Sequence, residues 1–202
     1  MMDEKSAAHM VYDCMLDFGT QESNPVLSVI DTGEPFQSGR HYPDPYLTFN
    51  SQGLRAYYHS HPHPGMGDEE HGHFHIFAAT QGDGESWTHI AALGMDRQGQ
   101  ANKWLSTNRW VTDEYWLAAD SQRALSLSHI DVSELKLVEQ WIYAMLMLYQ
   151  PELEQLWQQR DQYLNNIKAA SKENDVFEDR EHYLLAEQHV ALMDKLQKIL
   201  QI

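Results

Sequence analysis

Apolar residues recur at helical spacing over residues 3–18, where Ala8, Val11, Tyr12, Met15 and Phe18 fall on one side. Gly19 is the expected stop. Residues 26–30, VLSVI, are apolar and β-branched and predict a strand. The next stretch, DTGEPFQSGRHYPDPY, carries three prolines and two glycines and predicts loop. From residue 54 to about 117 the pattern is β. Strands are expected over 54–61, 71–79, 87–95 and 103–112, with a turn at 96–99 and a bend near Asn108. Short strands joined by Gly-containing turns predict an antiparallel meander.

After Ser128 the period changes to that of helices. Ser133 is the expected cap of a helix with Leu135, Val138, Ile142, Met145 and Tyr149 on its inner side. Pro151 suits the start of a second helix, carrying Leu153, Trp157, Leu164 and Ile167. A break is expected at 171–175 and a third helix over 177–200, with Leu185, Leu192, Leu196 and Ile199 on one side. Strands followed by helices predict an α+β fold. The expected architecture is an antiparallel sheet, open or barrel-like, with an N-terminal helix and about three C-terminal helices. Residues 1–128 are expected as a His-rich β domain, and 129–202 as a helical region packing on it or extending from it.

Composition narrows the function. Thirty acidic against fourteen basic residues give a formal net charge of −16, and no Lys/Arg cluster appears. Nucleic acid and anionic lipid are therefore not expected partners, since both need a basic patch. The single cysteine, Cys14, excludes an intramolecular disulfide and a thiolate zinc site. No charged leader with an apolar run and no 18-residue apolar stretch is seen, so a soluble, cytoplasmic protein is expected. The C-terminal helices offer a surface for homo-oligomers.

The candidate chemistry lies in residues 57–77, YYHSHPHPGMGDEEHGHFHIF, which hold six of the chain's twelve histidines. Side chains alternate along a strand, so His71, His73 and His75 share one face, while Phe74 and Ile76 point to the core. His59 and His61 share a face with Tyr57. If the two strands pair with His61 opposite His71, then His59 faces His73 and Tyr57 faces His75. Directly opposed residues have Cβ atoms about 4.5–5.5 Å apart, close enough for two imidazoles to share one metal. His89, on the third strand with Ala91 and Leu93, is a further candidate, and Asp68, Glu69 and Glu70 supply carboxylates. Imidazoles with carboxylate and no thiolate suit Zn, Fe(II), Ni or Mn.

The expectation is a mononuclear divalent-metal site. Its candidate ligands are His59, His61, His73, His75 and His89, and Glu70 is a ligand or general base. Arg109, in the NRWVT segment, is a candidate clamp for an anionic substrate. His41, in RHYPDP, is a candidate lid residue. The leading function is a metal-dependent enzyme acting on a small molecule. Three readings compete with it: a non-catalytic ligand- or metal-binding protein; metal-free binding, with the histidines as donors to an anion; and an ordinary solvent-facing sheet surface.

Several motifs resemble known families. Gly53-x5-His59-x-His61 is similar to the first half of a cupin motif, without the following Glu. His59-Ser60-His61-Pro62 resembles the zinc motif of JAMM-type metallopeptidases, but Gly72 stands where that family needs an Asp ligand. His71-Gly72-His73-Phe74-His75-Ile76-Phe77 resembles the strand of histidine-triad nucleotide hydrolases and transferases. That resemblance implies phosphoryl or nucleotidyl transfer with His73 as nucleophile, although Gly72 replaces an apolar residue. A longer resemblance rests on HYP (41–43), YYHSHP (57–62), EHGHFHIF (70–77) and NRWVTDE (108–114). These together look like an uncharacterised bacterial protein family of unknown function, covering most of 8–120. The resemblance implies that these segments belong together and implies no chemistry.

Overall fold

A computed structural model describes residues 2–49, 53–61, 70–80, 86–125, 127, 130–170 and 175–202. The fold is α+β. Six strands, β1 (Tyr42–Leu47), β2 (Leu54–His59), β3 (Gly72–Ala79), β4 (Trp87–Met95), β5 (Ala101–Thr107) and β6 (Leu184–His189), form one antiparallel sheet in chain order. The sheet is open, with β1 and β6 as its edges. The helices are α1 (Glu4–Thr20), α2 (Leu27–Ile30), α3 (Arg109–Thr112), α4 (Ala119–Arg123), α5 (Leu137–Leu148), α6 (Gln150–Ala170) and α7 (Leu192–Leu200). None is long and apolar enough to cross a membrane.

One face of the sheet is a conventional core. Tyr58, Phe74, Ile76, Leu93 and Trp104 are fully buried there. Helix α5 covers them: the rings of Phe74 and Trp141 lie 6.4 Å apart, and those of Trp104 and Tyr149 lie 6.2 Å apart. The predicted inner side of α5, from Leu135 to Tyr149, is buried throughout. Helix α1 packs against α5: of its predicted stripe Ala8, Val11 and Phe18 are buried and Tyr12 and Met15 partly so, and Ala7 is buried as well. Asp3 caps α1 by accepting from the Ser6 N–H at 2.7 Å.

Five local expectations are corrected. Residues 27–30 are a helical turn, because Asn24 Oδ1 accepts from the N–H groups of both Val26 and Leu27 at 2.9 Å. Part of the expected loop, residues 42–47, is strand β1. Pro43 and Pro45 are accommodated there because β1 is an edge, where a missing N–H breaks no ladder. The fourth strand ends at Thr107, since Asn108 turns the chain into α3 by accepting from the Arg109 N–H. The helix expected over 177–200 is strand β6 followed by α7. Leu185 sits seven residues before Leu192, a spacing that fits a helix, yet its own segment alternates and pairs with β5. Ser133 caps no long helix. It lies in a 3-10 turn under Asp131, and α5 begins after Lys136, whose N–H donates to the Glu139 carboxylate.

Candidate metal centre

The β2–β3 hairpin has the register that the histidine spacing predicts. Tyr57 faces His75 and His59 faces His73. His61 and His71 flank the strands. His63, Asp68 and Glu69 lie outside the described residues. The histidine face is not a wet surface: His73 and His75 are 1% and 0% exposed, and His59 is 8% exposed.

Burial brings three imidazoles to one point. One ring nitrogen each from His59, His73 and His75 lies within 4.8 Å of the others, a spacing that can hold a metal ion. His59 Nε2 is 2.9 Å from His73 Nε2. His73 Nδ1 is 3.0 Å from Glu70 Oε1, and Glu70 Oε2 is 2.8 Å from Lys103 Nζ. Glu70 therefore stands behind His73, on the side away from His59. His75 Nδ1 is 2.9 Å from His89 Nε2, and His75 Nε2 is buried without a hydrogen-bond partner among the described residues.

One glycine and one bulge arrange these contacts. Gly94 lies opposite His73 on one side and Lys103 on the other. Its missing side chain leaves the room in which Glu70 and Lys103 meet, since a Cβ there would lie 3.1 Å from Lys103 Cγ and 3.5 Å from Glu70 Cδ. The pairing of β3 with β4 runs Ile76 to Ala91 and then Phe77 to His89, so Ile90 is extra. This bulge reverses the alternation. His89 consequently shares a face with Phe77 and His75, and not, as its parity alone predicts, with Ala91 and Leu93.

The surroundings disfavour the charged form of His75 and His89. Burial holds His75 well below its ordinary range, and its neighbours His73, His89, His59 and His61 add to this. Burial also pushes His89 down to about 3, helped by the guanidinium of Arg160. Arg160 is itself 2% exposed and is held by Asp161 at 2.6 Å and by Gln122 Oε1 at 2.9 Å. Gln122 also donates to the His89 carbonyl at 2.7 Å. Neutral imidazoles offer lone pairs to a cation and are weak donors to an anion.

The remaining candidates are placed as follows. His61 is half-buried beside the cluster, its ring centroid 4.6 Å from that of His59 and 5.5 Å from that of His73. His41 stacks on Tyr57 at 3.8 Å and meets His59 edge-on at 5.3 Å, at the border of the cluster. Arg109 is not on a strand. Its guanidinium pairs with Glu178 and Asp175 and lies over the Phe177 ring. Trp110 donates from its indole N–H to the Asp179 carbonyl. Sequence reasoning missed Lys103, Thr107, whose hydroxyl is 3.5 Å from His89 Nδ1, and Tyr183, whose ring lies 6.4 Å from that of His61. The register of β4 with β5 would have found Lys103; nothing in the local sequence points to Tyr183.

No curated protein and no solved structure matches this chain. A family model does, over residues 5–190, which contain every residue of the cluster. The chain belongs to the family described as domain of unknown function DUF6969.

Proposed function

We propose that this protein binds one divalent transition metal through His59, His73 and His75 and uses it as an enzyme on a small-molecule substrate. One observation carries the reading: three buried imidazoles converge, and His75 Nε2 has no hydrogen-bond partner among the described residues. A buried nitrogen left without a hydrogen-bonding partner costs about 1–3 kcal/mol, and a cation at the point of convergence removes that cost. Zn, Fe(II), Ni and Mn all suit the donor set.

Three neutral ligands leave the full charge on the ion and at least one coordination position for a fourth group, the pattern of catalytic rather than structural sites. The ion would supply Lewis acidity. The chain's own residues would supply the rest. Glu70 accepts a hydrogen bond from His73 Nδ1–H, which would leave the Nε2 lone pair for the ion. His61 stands close enough to the cluster to be a fourth ligand or to face a substrate. His41 and Tyr57 form an aromatic flank suited to packing a small substrate.

The geometry supports this reading over nucleotidyl transfer by His73. A nucleophilic imidazole needs one nitrogen open to substrate, whereas both nitrogens of His73 face protein groups within 3.0 Å. Metal-free anion binding is disfavoured by the neutral state of His75. The test is elemental analysis of untagged protein, followed by titration of the metal-free form with Zn, Fe(II), Ni and Mn. Stoichiometric metal that is lost on His75→Ala is expected. No bound metal and no binding on titration would overturn the proposal.

A further inference from the structure

His89 carries the same donor atoms as the three converging histidines and touches one of them, yet its ring lies behind His75. We infer that His89 is a positioning residue, which accepts the Nδ1–H of His75 and so turns the lone pair of His75 Nε2 toward His59 and His73. This deepens the metal reading above and rests on it for its purpose, although the geometry stands by itself.

The argument is one of hydrogen counting. The nitrogens of His75 and His89 that face each other are 2.9 Å apart, so one of them carries the hydrogen. If His89 donated, His75 would carry its hydrogen on Nε2, aimed into the cluster with no acceptor among the described residues. If His75 donates, that hydrogen is satisfied by His89 Nε2. His89 then carries its own hydrogen on Nδ1, and Thr107 Oγ1, at 3.5 Å, is the acceptor on that side. Only the second arrangement leaves no buried N–H without a partner. It also presents His75 to a cation through the nitrogen that has room for one.

The arrangement repeats, with a different partner, the one at His73. There a carboxylate, Glu70, backs the ring, and Lys103 balances its charge. At His75 the backing group is neutral and is fixed by the main chain: the Ile90 bulge places His89 on this face, and Gln122 holds its carbonyl. Partners of this kind set the tautomer and orientation of a metal ligand, and losing one typically weakens metal binding 10–100-fold.

The test reads the tautomer directly. Long-range proton–nitrogen correlation spectra of the metal-free protein, with imidazole nitrogens labelled, are expected to show His75 protonated on Nδ1. In His89→Ala that signature is expected to move to Nε2, and in His89→Gln, whose side-chain oxygen can accept, it is expected to be retained. Zinc titration of the same proteins should show binding weakened 10–100-fold in His89→Ala and largely restored in His89→Gln. His75 found protonated on Nε2 in the wild type, or a tautomer unmoved in His89→Ala, would overturn the inference. So would loss of one coordinated imidazole from the X-ray absorption spectrum of zinc-loaded His89→Ala, because His89 would then be a ligand. If no zinc binds but the tautomers behave as stated, the positioning role stands and the metal proposal alone falls.

Discussion

Gly72 lies directly over the hydroxyl of Tyr58: a Cβ at Gly72 would stand 2.5 Å from that oxygen and 2.5 Å from the carbonyl of His59. The same hydroxyl meets His71 Nδ1 at 2.6 Å. The two strands approach each other here closely enough to exclude any side chain, one step from the facing pair His59 and His73. Gly72→Ala should therefore push β2 from β3, costing about 1–3 kcal/mol of stability and weakening metal binding together with it. Urea denaturation and zinc titration check this; an unchanged unfolding midpoint would refute it.

Adjacent residues on β3 should fail in different ways. Phe74 is buried against Trp141 on the core face, so Phe74→Ala should cost about 3–5 kcal/mol while leaving metal stoichiometry intact under conditions where the variant is folded. His75→Ala should abolish the rise in melting temperature that added metal produces. Thermal melts with and without zinc separate the two, and a metal response surviving in His75→Ala would remove His75 from the site.

Glu70→Gln keeps the shape of the side chain and removes its charge. Lys103 loses its ion pair, and His73 loses the carboxylate that sets its Nδ1–H. Zinc affinity, measured by competition with a chromophoric chelator, should fall about 10–100-fold. Affinity within twofold of the wild type would show that Glu70 plays no part in positioning His73.

Stability of the metal-free protein should fall in acid, and the sign follows from burial. His75 and His89 both titrate below 6.5 in the folded chain, His89 at about 3. Between those limits the unfolded chain binds more protons than the folded one, so lowering the pH favours unfolding. The contribution is complete above about pH 6.5 and is lost as pH falls toward 3. Each such histidine adds a slope of up to about 1.4 kcal/mol per pH unit. Urea midpoints measured from pH 7 to pH 4 should decline steadily, and a flat profile over that range would contradict the burial of these rings.

Alternation was enough to read which residues share a face of the hairpin. H-x-H on each strand and the apolar Phe74 and Ile76 put the histidines together, but a shift by two residues would keep that face, and the structure supplies the register in which His59 faces His73. The burial of that face was not legible, because the cover comes from distant residues such as Tyr183 and His41. His89 does join the cluster, but the face it takes was not legible, because a one-residue bulge at Ile90 reverses parity without a mark in the sequence. Strand β6 was hidden because Leu185, Leu192 and Leu196 also satisfy a helical period. The carboxylate Glu70 was found, but its position behind His73 depends on Gly94, on the next strand, and on Lys103, two strands away.

The order of the strands also governs when the cluster can close. His59, His73 and His75 are made early, yet helix α5, which covers the back of their strands, is not complete until residue 148, and the segment around Tyr183 comes later still. On the ribosome, both H-x-H pairs therefore emerge before the structure that encloses them. Because domains generally fold as units, enclosure of the imidazoles waits for these later segments. A growing chain thus presents both H-x-H pairs unenclosed, and on the metal reading proposed above an ion would be taken up before, or as, the chain closes around them.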